Sequence, residues 1–91
     1  MPRRKEMEYV VVAFRSRAHT VKFYEFLRAN GIFGEIVNTP KEAGVGCGLS
    51  VKIRKTDLTI AKRAVLSVAF SSFAGFFLVN VASGKRLVRS I

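Results

Sequence analysis

The hydrophobic pattern reads strand, helix, strand twice over, with one glycine- and proline-bearing stretch between the halves, and few folds accept that order. Glu8 to Phe14 (Glu-Tyr-Val-Val-Val-Ala-Phe) is short, β-branched and aromatic, which predicts a strand buried on both faces. Ser16 offers a hydroxyl to the first turn of a helix. From Arg17 to Asn30, the residues Thr20, Phe23, Tyr24 and Leu27 recur on one face at helical spacing, while Arg17, Lys22, Glu25 and Arg28 fall outside it. Asn30-Gly31 supplies the left-handed residue that ends helices.

Phe33 to Thr39 reads as the second strand, stopped by Pro40, which has no N–H to give a ladder. Further on, Leu49, Val51 and Ile53 alternate with Ser50, Lys52 and Arg54, predicting a strand with one wet face. Thr56 or Asp57 can cap a second helix whose core stripe is Leu58, Ala61, Ala64, Val65 and Val68. Leu66 and Phe70 fall off that stripe and hint at a second contact surface. Ser71-Ser72 and Gly75 are read as breaking the helix, with Phe76 to Val81 as the last clear strand. A turn at Ala82-Ser83-Gly84-Lys85 allows an extra strand from Arg86 to Ile91.

The order β-α-β-β-α-β is that of an α+β, ferredoxin-like split β-α-β sandwich, here with room for an extra C-terminal strand. Ninety-one residues hold one core, so we divide the chain into a basic N-terminal tail (1–7), a single domain (8–81) and a basic C-terminal turn (82–91). In such a sandwich both helices cover one sheet face. The Phe-rich strands predict that the other face is covered too, by self-association into a homodimer.

Charge narrows the partners. Sixteen Lys and Arg against six Asp and Glu give a net charge of +10, which attracts nucleic acid, anionic lipid or an acidic protein. Ala64 through Gly84 carries no charge, a stretch about as long as a bilayer span. Its serines, Asn80 and two glycines favour helix, turn and buried strand instead, so no membrane is expected. The apolar run after the basic start covers only Tyr9 to Phe14, too short for a signal peptide. One cysteine makes neither an internal disulfide nor a multi-cysteine metal site, and His19 is the only histidine. A reduced cytoplasmic setting with no metal and no cofactor is the expectation.

The stretch Thr39 to Ile53 holds three of the seven glycines, one of the two prolines and the lone Cys47. A thiol is a nucleophile only as thiolate, so positive charge or backbone amides must favour the anion. Gly44, Gly46 and Gly48 would let N–H groups turn toward one point and cradle negative charge. Lys41 and Lys52 could lower the thiol's proton affinity or dock a partner. Against this, a lone cysteine is often a small buried hydrophobe, although such residues usually sit within apolar runs rather than between glycines.

At these residues the chain resembles the selenium/sulfur carrier-like proteins. In that family a Tyr-plus-valine-rich first strand, a helix ending near Asn-Gly, a Thr-Pro-basic segment and a Cys-Gly pair occur in one order. Here they would be Tyr9 to Phe14, Ser16 to Gly31, Thr39 to Lys41 and Cys47-Gly48, and the similarity spans most of residues 8 to 80. The resemblance implies that Cys47 accepts sulfane sulfur or selenium from a donor protein's persulfide and passes it to an acceptor protein. The chain departs from the pattern in its basic tails, its aromatic-rich final third, and Gly44 and Gly46 where serines are familiar. The Cys-Pro-x-Pro motif of better-known sulfur-relay carriers is absent.

Two other classes stay open. Tyr9, Phe14, Phe33, Phe76 and Phe77 are strand aromatics that could stack the bases of RNA or single-stranded DNA beside the basic residues. Alternatively the chain is a structural dimerisation domain with an incidental cysteine. An enzyme has less support. His19 has no local spacing that recommends a dyad with Cys47, Glu42 near Cys47 could accept a proton but a loop carboxylate is usually just solvated, and the remaining acids form no paired-carboxylate motif. The glycines lack the Gly-Lys-Ser/Thr ending of a phosphate loop.

Overall fold

Among residues 7–68 and 71–91, which the computed structural model describes, β1 (Met7–Phe14) runs through the middle of a five-stranded sheet. It is followed by α1 (Arg17–Ala29), β2 (Glu35–Asn38), β3 (Leu49–Ile53), α2 (Leu58–Val68), β4 (Phe73–Ala82) and β5 (Lys85–Ser90). Across the sheet the order is β2-β3-β1-β4-β5, and every pairing is antiparallel. The fold is α+β, with five antiparallel strands and two helices. The extra C-terminal strand that the turn at Ala82-Ser83-Gly84-Lys85 allowed is present as β5, an edge beyond β4, and the five-stranded sheet does not match the exact ferredoxin-like β-α-β-β-α-β order.

The β-branched run explains why β1 is central. Val10 to Phe14 are fully buried, and only a strand paired on both sides can hide both faces. One face carries Val10, Val12 and Phe14, with Val51, Ile53, Phe76 and Leu78 beside them. Onto it pack Phe23 and Leu27 of α1 and Ala61, Ala64 and Val65 of α2. Phe14 is the hub: its ring lies 5.3 Å from Phe23 and edge-on, at 5.9 Å, to Phe73. The α1 start is capped as its sequence predicts, Ser16 Oγ accepting from the His19 N–H at 3.3 Å.

Three local readings change. The second strand is shorter than Phe33 to Thr39, and Phe33 stands 57% exposed outside it. Gly75 does not precede the last strand but lies inside β4, opposite Ala13, next to the point where the β1–β4 register shifts. Its φ of +145°, and a virtual Cβ only 3.2 Å from the Phe77 ring, explain why glycine stands there. On the expected wet face of β3 Ser50 is fully buried, while Lys52 is half-buried and Arg54, just past the strand, is exposed. Of the two residues that fell off the α2 stripe, Leu66 is 81% exposed and Phe70 lies outside the described residues, as do the side chain of Val68 and the N-terminal tail cluster Arg3, Arg4 and Lys5. No helix among the described residues is long and apolar enough to cross a membrane, and the uncharged 64–84 stretch divides between α2 and β4.

Candidate functional site

Register places Tyr9, Val11, Ala13, Ser50, Phe77 and Val79 on the sheet face away from the helices. Val11, Ala13, Ser50 and Val79 are nevertheless fully buried, and Phe77 nearly so. Their cover is the chain itself. After β2 the backbone turns at the buried Pro40, and a short 3-10 turn, Lys41–Ala43, reaches β5 at the far edge of the sheet. There the Arg86 guanidinium holds Glu42 through two bonds, Nη2 to Oε1 at 2.8 Å and Nε to Oε2 at 3.2 Å. Arg86 keeps the Glu42 carboxyl below its ordinary pKa of 4.5, first by that hydrogen bond and then with help from the residue's own backbone N–H. The homodimer was expected because a sheet face needed cover, and this loop covers much of it.

The loop returns along the end of β1. At Gly46, φ is +98° and a virtual Cβ would sit 3.3 Å from the Phe14 carbonyl oxygen and 3.8 Å from the Ala13 Cβ. Only glycine allows both the dihedral and the approach. Thr39 closes the base of the loop, its N–H donating to Gly48 O at 2.9 Å and its hydroxyl pairing with Ser50 Oγ at 2.6 Å. Of the three glycines that drew attention as an anion cradle, Gly46 therefore has a packing reason as well, while Gly44 and Gly48 have positive φ and open space where a Cβ would sit.

Cys47 sits where this flap rounds the end of the sheet and meets α1. Its N–H donates to Phe14 O at 3.0 Å, and its side chain is half-buried. The thiol donates toward Leu49 O at 3.6 Å, and Sγ lies 3.8 Å from the Thr20 hydroxyl oxygen. Thr20 is fully buried, and its one proton has other acceptors in Leu49 O at 3.2 Å and Ser16 O at 3.3 Å. A thiolate could accept from that hydroxyl but could no longer donate to Leu49 O.

The sequence-predicted residues are only partly brought together. Gly46 and Gly48 flank the sulfur-bearing residue, while the amides of Gly44 and Cys47 point at Lys41 O and Phe14 O. Lys41 is exposed and lines a hollow of about 320 Å³ with Gly46 and Gly48. Lys52 is not at the site. Its ammonium sits 4.4 Å over the Tyr9 ring, five residues back along β1, about 16 Å at roughly 3.3 Å per residue. His19 turns its ring to Ser72, Nδ1 lying 2.6 Å from Oγ. No group of three His, Cys, Asp or Glu side chains among the described residues could hold a metal ion.

Sequence reasoning missed two residues. Thr20 was assigned to the apolar face of α1 because a threonine at helical spacing passes for core. Arg86 was counted with a solvated basic tail, and nothing local signals that a loop more than forty residues earlier reaches it. The strand aromatics separate in a way no pattern could tell. Phe14, Phe76 and Phe77 are buried, Tyr9 lies beneath Lys52, and Phe33 alone is exposed among these five.

The family model described as Putative Se/S carrier protein-like matches residues 8–69, from the second residue of β1 to just past the end of α2. The matched segment contains the flap and Cys47, and it stops short of β4 and β5. Among curated proteins and among solved structures nothing matches the chain.

Proposed function

The chain belongs to the Putative Se/S carrier protein-like family, and on that premise we propose that it carries sulfur or selenium on Cys47. One observation carries the reading: the family segment contains the only thiol in the chain, held at the edge of the fold on a loop pinned on both sides. A carrier needs a sulfur that a partner can reach and a mount that does not wander. It needs no catalytic dyad and no cofactor.

The transfer balances without an oxidant. Cys47 thiolate attacks the outer sulfur of a donor's persulfide, R–S–SH. The donor S–S bond breaks as the Cys47–S–SH bond forms, and the donor leaves as thiolate. A nucleophile on the acceptor then attacks the outer sulfur and releases Cys47 thiolate. With selenium the carried form is Cys47–S–SeH. Loss of the thiol proton removes the bond to Leu49 O, and the Thr20 hydroxyl is the donor that can turn to the sulfur in its place. Gly46 and Gly48 leave no side chain beside the sulfur to obstruct an incoming partner. Lys41 is exposed on the same loop and lines the hollow beside Gly46 and Gly48.

Mass spectrometry after incubation with a cysteine desulfurase and cysteine tests the proposal. The protein gains one sulfur, reversibly by a thiol reductant, and Cys47→Ala gains none. A thiol that stays silent with several donors, and reacts with alkylating reagents only after unfolding, refutes it.

A further inference from the structure

We propose that the surface round Cys47 is a docking site for an acidic protein; this rests on the carrier reading and adds the chemistry of the partner that reaches the sulfur. Three exposed cations stand on the three segments that hold Cys47. Arg15 follows the Phe14 carbonyl that binds the Cys47 N–H, and its guanidinium donates to Phe73 O at 3.4 Å while staying exposed. Arg17 opens α1, three residues before the Thr20 whose hydroxyl lies against Sγ. Lys41 lines the hollow that Gly46 and Gly48 share. The acid of the flap is Glu42, and both its oxygens are already held by Arg86. Charge at this end of the sheet is therefore unbalanced and faces outward.

An acidic protein fits this end better than a nucleic acid. Single-stranded chains bind where aromatic faces for stacking adjoin the charge. Here the exposed aromatic, Phe33, lies away from the Cys47 end. Exposed Phe33 shares a groove with Met7 and Tyr9 at the other end of β1, about 23 Å from Phe14 at roughly 3.3 Å per residue. In that groove Lys52 lies over the Tyr9 ring, and Arg54 and Lys55 are paired with Asp57 and Glu8. Near Cys47, Phe14 is buried and offers no face.

The experiment compares two small disulfides of opposite charge, dianionic dithiobis(nitrobenzoate) and dicationic cystamine, in exchange with Cys47 of the full chain. The quantity read is the ratio of their rates as salt rises. We expect the anion's advantage to be about tenfold larger at low salt than at high salt. Arg17→Glu with Lys41→Glu should abolish that change. Lys62→Glu with Arg63→Glu, two exposed α2 positions giving the same net charge, should retain it. Polyglutamate should also slow labelling more than an oligothymidylate of matched charge. Equal loss in the two double variants means that only net charge is felt, and it overturns the proposal. Stronger protection by the oligonucleotide overturns it in favour of nucleic acid. Desulfurase loading in the same samples separates the two ideas. Loading without charge discrimination defeats the docking surface alone, and absence of loading defeats the carrier reading beneath it.

Discussion

Replacing Thr20 by valine asks whether α1 tunes the sulfur or merely packs beneath it. The Thr20 hydroxyl has one proton and three acceptors within reach, at 3.2 Å, 3.3 Å and, for Sγ, 3.8 Å. In the thiol state its proton is shared between Leu49 O and Ser16 O, because Cys47 can donate to Leu49 O itself. In the thiolate state the sulfur becomes the acceptor in greatest need. A net hydrogen bond is worth about 0.5–1.5 kcal/mol, and at 3.8 Å the lower half of that range applies. Thr20→Val should then slow alkylation of Cys47 by neutral iodoacetamide about 2- to 5-fold at a fixed pH near 7.

Thr20→Ser is the matched control. It keeps the hydroxyl and deletes one buried methyl, at a cost of about 1 kcal/mol. Valine loses the hydroxyl and keeps the shape, which costs about as much by the same hydrogen-bond range. The two variants should therefore unfold at similar urea midpoints while only valine slows the thiol. A neutral reagent is chosen so that Arg15, Arg17 and Lys41 do not bias the rate. If serine slows alkylation as much as valine, packing explains the effect. If neither does while both remain folded, the hydroxyl has no part in supporting the thiolate.

Two further outcomes follow from the flap. Gly46→Ala meets both a positive φ and the Phe14 carbonyl oxygen at 3.3 Å, whereas Gly44→Ala, at φ +67°, has nothing within 4 Å. Left-handed backbone alone costs about 1–2 kcal/mol, so Gly46→Ala should unfold at lower urea than Gly44→Ala, and equal midpoints would refute the close approach. Acid should weaken the fold through Glu8 and Glu42. Lys55 and then Asn80 lower the pKa of Glu8 from 4.5, and Arg86 lowers that of Glu42. Their contribution is therefore present above pH 4.5 and lost as pH falls through their lowered values. Both groups are open to solvent, so the effect is small and shrinks with salt. A Glu8→Gln, Glu42→Gln variant should show a flatter stability profile below pH 4.5, and an unchanged acid limb would count against the two pairs.

The elements were legible because each has a local cause. Val10 to Val12 cannot sit comfortably except in a buried strand, and Ser16 and Asn30 punctuate α1 where the structure ends it. Gly75 misled because a glycine after two serines reads as a turn, and only the pairing with β1 shows that it serves a register shift. The candidate site was legible as a stretch but not as a shape. Glycines round a cysteine suggest an open presentation loop. The closed flap depends on Glu42 meeting Arg86 and on Gly46 meeting Ala13, contacts across more than thirty residues that leave no periodic trace. Lys52 was misplaced by the same blindness, since adjacency in sequence put it near Cys47 while the pleat aimed it at Tyr9.

The flap's second duty limits how the thiol can work. Lifting it would break the Glu42–Arg86 pair and open to water a sheet face on which Val11, Val79 and most of Phe77 are dry. Fully burying such a side chain is worth about 1.5–3 kcal/mol, so uncovering even two of them costs about 3–6 kcal/mol and holds an opened flap below about 1%. A carrier that had to open this loop would pass its cargo slowly. Cys47 escapes the constraint because it lies at the turn, where the backbone is pinned to Phe14 O while the side chain reaches the fold's edge. A partner can therefore approach end-on, past Gly46 and Gly48, with the flap closed. Rotation of the Cys47 side chain away from Leu49 O and of the Thr20 hydroxyl toward the sulfur are the only internal movements that transfer then requires. The loop is better understood as a fixed mount, and on the carrier reading proposed above an end-on partner would meet the basic residues at the same end of the sheet.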